Sequence, residues 1–244
     1  MVQRVRRTGF AIFTTLAIMG YFGQAQAAEE ERFEISSIRA IRPTLVDAIT
    51  ALQQRDVARA RAAFADYDSG WNGIEVYINV RSKELYRLLE LEFQARITKA
   101  LDAPNPDISE VLVDVRAMLV KFDEAVSMFA NSAPLNPLYD DVARLRIVRA
   151  HLRDVTPALK AGNLGKARKS FDAFEDGWFN IEDFVRAQSL DAYVAIETGM
   201  VEIEQALLMS DRPDVAAVTG LVGGIMNHYN AVVTEVQKQA RSAQ

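Results

Sequence analysis

The amino-acid sequence predicts an all-α protein, two tandem four-helix bundles produced by an internal duplication. Three observations carry that prediction. Apolar residues recur at alternating spacings of three and four, no stretch of useful length alternates in the strand manner, and seven prolines and twelve glycines in 244 residues are too few for a turn-rich β fold.

The second helix of the first copy is read from Val57, Ala60, Phe64, Tyr67, Trp71, Ile74 and Ile78. Its counterpart is Leu164, Ala167, Phe171, Phe174, Trp178, Ile181 and Val185. Both are the 3.5-residue stripe of a helix packed in a bundle. Leu145, Val148, Leu152, Val155 and Leu159 mark a first helix, and Tyr193, Ile196, Met200, Ile203 and Leu207 a third. Asp107 and Glu110 have capping-box spacing and open a fourth helix after the Pro104–Pro106 turn. Asn136-Pro137 marks a helix start between the copies. Pro43 and Pro157 are expected to kink or end their helices.

The duplication is legible as a self-match at an offset of 107 residues, Ile38–Val126 onto Leu145–Val233. Phe64, Gly70, Trp71, Ile74, Glu75, Ser82, Tyr86 and Glu90 return as Phe171, Gly177, Trp178, Ile181, Glu182, Ser189, Tyr193 and Glu197. The two tryptophans of the chain fall in register. Such a long period argues for bundle-sized units rather than a solenoid of short repeats. The expected division is a signal peptide over 1–27, a first repeat over 28–134 and a second over 135–244.

Arg4, Arg6 and Arg7 precede a thirteen-residue apolar run from Phe10 to Phe22, and Ala25-Gln26-Ala27 fits a small-x-small cleavage site. The run is shorter than the roughly 20 residues a membrane span needs. The expected mature protein begins at Ala28, lies free in the periplasm and does not span the membrane. Cleavage removes three arginines, leaving 25 basic against 33 acidic residues, net −8. That balance disfavours nucleic acid as a partner. The absence of cysteine excludes disulfides, thiol catalysis and cysteine-ligated metals. No histidine-based nucleophile–base pair repeats between the copies and no Gly-rich phosphate loop is present, so no enzyme is expected.

Glu75, Glu90, Glu182 and Glu197 each follow a core position directly, so each flanks the apolar stripe. Folding back at Ser82 and Ser189 sets Glu75 opposite Glu90 and Glu182 opposite Glu197. Facing carboxylates on adjacent helices suit a hard cation, iron or another divalent or trivalent ion. His151 and His228, found only in the second copy, reach similar depth on antiparallel helices, and His151-x-x-Asp154 puts two donors on one face. Together with Asp154 they complete the candidate metal set. The bland reading uses the same residues. Arg39 and Arg42, or Arg146 and Arg149, come to the level of the glutamates and would pair with them. Trp71 and Trp178 are expected in the core.

Gly70-Trp71-Asn72-Gly73-Ile74-Glu75 resembles the GxHxxE motif of imelysin-like proteins, periplasmic helical bundles linked to iron uptake. Asn72, and Phe179 in the second copy, stand where that motif has histidine. The run from Ala167 through Phe171, Phe174, Trp178, Glu182, Ser189, Tyr193 and Glu197 is similar to the extracytoplasmic helical domain of bacterial ferric-type iron permeases. Both resemblances imply a periplasmic module that binds iron or a similar cation for an inner-membrane metal permease. The alternative is a structural or interaction protein that serves another envelope protein, its glutamates paired with arginines.

Overall fold

The computed structural model describes residues 31–243, so the expected leader peptide lies outside the described residues. The described residues are helical throughout, with no strand among them. In order they form α1 (Phe33–Gln53), α2 (Val57–Arg81), α3 (Lys83–Tyr86), a π-helical stretch (Arg87–Gln94), α4 (Ala95–Asp102) and α5 (Ile108–Ala130). After an extended link come α6 (Leu138–Lys160), α7 (Leu164–Trp178), α8 (Glu182–Gln188), α9 (Leu190–Ile203), a second π stretch (Glu204–Leu208) and α10 (Val215–Ser242). No helix among them is long and apolar enough to cross a membrane.

The apolar stripes do what their spacing predicts. Every stripe residue is buried except Val57, Leu164 and Tyr193, which are half-buried at or near helix starts. Buried residues from both halves join one continuous core. In α2, Phe64, Tyr67 and Trp71 stack along the helix, and Phe171, Phe174 and Trp178 follow one another in the same way in α7. α1 packs on α2 and α5, α6 on α7 and α10, and α10 on α9. One further contact, α2 against α6, joins the halves.

Small local devices recur 107 residues apart. The Asp56 carboxylate accepts from the Arg59 amide at 3.0 Å, and Asn163 does the same for Lys166. The Ser82 hydroxyl caps α3 and Ser189 caps α9, each at 3.1 Å. Asp107 accepts two amides at the start of α5, as Asp214 does for α10. Each such cap satisfies amides that a helix start leaves without partners. The Arg61 guanidinium donates to the Ala103 carbonyl at 3.1 Å, and Arg168 donates to Ser210 at 2.7 Å. A methyl added at Gly70 would run into Ile41, and one at Gly177 would meet Val148 at 2.9 Å. Glycine is therefore what lets α1 approach α2, and α6 approach α7, so closely.

The helices run past both prolines. Pro43 lies inside α1 and Pro157 inside α6. Leu45, Ala48 and Leu52 remain on the buried face beyond Pro43, and that packing holds the rod together where one backbone hydrogen bond is missing. The second helix of the second copy departs from expectation in the other direction. α7 stops at Trp178, a turn over Phe179–Ile181 follows, and α8 starts at Glu182. α2 is gripped by α1 on one side and α6 on the other, whereas α7 packs mainly on α6 and meets α10 through Tyr229 against Phe174 and Trp178.

Candidate functional site

α2 and α6 run antiparallel, and their contact places charged side chains along one seam. Glu75 forms an ion pair with Arg146, their side chains only 19% and 14% exposed. Seven residues earlier on α2, Asp68 pairs with Arg153 at 3.3 Å, seven residues later on α6. The Tyr77 hydroxyl donates to Asp140 at 2.7 Å, and the Ser69 hydroxyl reaches Asp154 at 3.4 Å. A spacing of seven is two helical turns, so both carboxylates lie on one face of α2 and both guanidinium groups on one face of α6. At Gly73 the backbones come so near that a methyl would overlap Ile147.

The π stretch adds Glu90 and Gln94 to this seam. Gln94 donates its amide N–H to Asp68, and Glu90 accepts the indole N–H of Trp71. Burial, then the charge of Glu75, pushes the Glu90 carboxyl above its ordinary range, against the indole hydrogen bond, which lowers it. Burial also raises Asp68, opposed first by Arg153. The Tyr67 hydroxyl beneath is fully buried, and burial followed by the charges of Glu90 and Asp68 drives its ionisation well above pH 10.

The second copy repeats one part of this arrangement. Glu197 accepts the indole N–H of Trp178, just as Glu90 accepts that of Trp71 nineteen residues before it. Both indoles are fully buried and both need an acceptor there. The Tyr193 ring stacks on Trp178, and its phenol feels the charges of Glu197 and Glu182. The charge of Glu197, then burial, then the charge of Glu182 raise the Tyr193 phenol. No arginine or lysine forms an ion pair with Glu182 or Glu197 among the described residues.

The structure therefore puts the arginines elsewhere than on the glutamates of their own copy. Arg146 crosses the seam to Glu75. Arg149 donates to Asn230 at 2.7 Å, Arg42 makes a two-point contact with Asp123, and Arg39 pairs with Glu31 in solvent. Helix periodicity shows which face a charge occupies, while the partner depends on which helices become neighbours.

His151 and Asp154 line one groove of about 610 Å³ between α2, α6 and α7, together with Asp68, Ser69 and Lys169. Burial lowers the His151 pKa, and Asp154 opposes the shift. His228 is exposed on α10 and is not part of the groove lining. Among the described residues, no three His, Cys, Asp or Glu side chains come together in a way that could hold a metal ion. Asp68, Arg153 and Gln94 are the site residues that sequence reasoning missed. The matched seven-residue spacings of Asp68–Glu75 and Arg146–Arg153 were the signal available for the first two.

No protein-family model, curated protein or solved structure matches this chain. The resemblance to imelysin-like proteins and to iron permeases accordingly rests on the quoted residues alone.

Proposed function

We propose that this chain is a non-enzymatic interaction module of the cell envelope, a duplicated four-helix unit whose glutamates hold the fold rather than a ligand. The observation that carries this reading is the use already made of three of the four glutamates. Glu75 neutralises Arg146 across the seam, and Glu90 and Glu197 each accept a buried indole. The contacts recurring at an offset of 107, from caps to glycine approaches, support the duplication. The leader-like segment before Ala28 supports a periplasmic location, and intact-mass analysis of the periplasmic fraction tests it.

A second reading keeps the cation. Glu182 forms no ion pair among the described residues, and its charge and that of Glu197 both act on the Tyr193 phenol, opposed by Arg186. Two carboxylates and a phenol make an oxygen set that suits iron, with water completing the shell. In this reading the protein carries the ion for an inner-membrane permease. Thermal unfolding with and without ferrous iron, ferric iron and manganese separates the two. A ligand held only by the folded state raises the melting temperature. The interaction-module reading expects no rise. A saturable rise that disappears in Glu182→Gln/Glu197→Gln would overturn it in favour of the cation.

A further inference from the structure

α2 and α7 pack on α6 far more than on each other, and a channel runs between them. Its floor is one strip of α6, Ile147, Ala150, His151 and Asp154, at the i, i+3, i+4, i+7 spacing of a single helix face. Ile147 is where Gly73 of α2 comes closest, and its neighbour Val148 is where Gly177 of α7 does, so the strip lies between the two contacts. The resulting groove of about 610 Å³ has the size of a small-ligand site. Ala150 and Ala173 send no long side chain into it.

The two walls of the groove carry opposite charge. The α2 wall presents Asp66, Asp68 and Ser69 and no base, and the α7 wall presents Lys166, Lys169 and Ser170 and no acid. Asp154 on the floor adds a third carboxylate. Asp68 and Asp154 share one guanidinium, that of Arg153. Asp66, Lys166 and Lys169 form no ion pair among the described residues, so opposite charges line one groove without joining across it. His151 stands on the floor, half-buried, with no hydrogen bond among the described residues. Neither Asp66 nor Lys169 is repeated in the other copy, where Ala173 and Ala62 stand. The charge pattern therefore belongs to the groove and not to the duplicated unit.

We infer that this groove binds a short peptide with free ends, its ammonium group at the Asp66 wall and its carboxylate at Lys166 and Lys169. A plain anion entering the groove meets three carboxylates, and a plain cation meets two ammonium groups. A zwitterion satisfies both walls at once. The Ser69 and Ser170 hydroxyls can donate to or accept from peptide groups, and Ile147 with the two alanines receives small apolar side chains. The inference adds a ligand to the chain and rests on neither reading of the glutamates.

The two histidines of the chain make the test specific, because His151 lies in the groove and His228 is exposed outside it. Their imidazole signals are followed by NMR while trialanine with free ends is added, and His151→Gln assigns them. Trialanine should shift the His151 signal saturably and leave His228 in place. N-acetyl-trialanine and trialanine amide each lose one end charge and should bind about threefold to tenfold more weakly, a modest factor because water screens these exposed groups. Lys166 and Lys169 are both exposed, so Lys166→Gln/Lys169→Gln should keep the wild-type melting temperature. That variant should bind trialanine and its amide equally, while Asp66→Asn should narrow the gap between trialanine and its N-acetyl form. The inference is overturned if His151 shows no saturable shift, if His228 moves with it, or if the capped peptides bind as tightly. It is overturned equally if the lysine double variant keeps the full preference for a free carboxylate.

Discussion

Replacing Glu75 by glutamine removes a charge from a pair that is more than four-fifths buried and leaves its partner behind. The Arg146 guanidinium would then face only neutral acceptors, the amide oxygen of the new glutamine and that of Gln237 at 3.4 Å, and its Nε already has no partner. Breaking a fully buried pair from one side costs about 3–5 kcal/mol. Two features lower that figure here. Residual exposure lets water reach the stranded cation. Removing the Glu75 charge also relieves Glu90, whose carboxyl that charge pushes up. We expect a loss of about 2–4 kcal/mol, which for a domain of this size lowers the melting temperature by about 5–15 °C. Urea unfolding of Glu75→Gln, Arg146→Met and the double variant Glu75→Leu/Arg146→Met supplies the assay. The double variant should recover most of the loss, because an apolar pair of similar volume substitutes well for a buried ion pair. A cost below about 0.5 kcal/mol for the single change is the signature of a solvated surface pair and would refute the reasoning. So would a gain in stability, which is what mutually repelling glutamates of an empty cation site predict.

Three more expectations concern single positions. Arg55 holds φ +58°, where the second copy has Gly162 at +72°, so Arg55→Gly should stabilise by about 0.5–1 kcal/mol in urea unfolding by removing left-handed strain. Glu197→Leu should cost about 1–3 kcal/mol by leaving the Trp178 indole N–H without an acceptor, while Glu197→Gln keeps an oxygen there and should cost less than half as much. Glu175 titrates near 7 in the folded state against 4.5 as an ordinary carboxyl, so the folded state holds the proton more tightly; stability is highest below the lower value and falls as pH rises through the upper one, and Glu175→Gln should flatten the melting temperature between about pH 5 and 8.

Much of this fold is written in local pattern. A 3–4 spacing reports which side of a helix is buried, and so Phe64, Tyr67, Trp71, Phe171 and Trp178 could be assigned to the core before any coordinates. Caps are equally local, which is why Asp107 and the Ser82/Ser189 turns were readable. What could not be read depends on contacts between distant segments. The choice of α6 as the neighbour of α2 decides that Arg146 meets Glu75 rather than Glu182. The wider turn at Arg87–Gln94, which carries Glu90 and Gln94 towards α2, leaves no mark in an apolar spacing. The break after Trp178 was hidden because its stripe continues through Ile181 and Val185, and both are still buried. Pro43 does not end its helix, because buried residues on both sides of it hold α1 together, whereas Pro157 stands three residues before the end of α6.

The two copies differ most where they touch, and electrostatics explains the direction of the difference. In the first copy Arg42 lies near solvent and meets Asp123 in a two-point contact at 2.7 and 2.9 Å. Its counterpart Arg149 meets the neutral Asn230. Arg149 stands between Arg146 and Arg153 on the face that α6 turns to α2, and burial followed by the charge of Arg146 lowers its pKa. A carboxylate at 230 would seem the natural remedy. The seam already holds Asp68, Glu75, Glu90 and Asp154, however, and Glu75 acts on Arg149 as well as on Arg146. A further acid would push Glu90 and Asp68 still higher, and both are already raised by burial. Asparagine satisfies one guanidinium N–H without adding to that negative field. α6 thus has neighbours on two sides, α7 and α10 on one and α2 on the other, and Asn230 meets Arg149 without adding charge to the seam. Arg42 on α1, near solvent and away from that seam, keeps its acid Asp123 because no such crowd of carboxylates surrounds it.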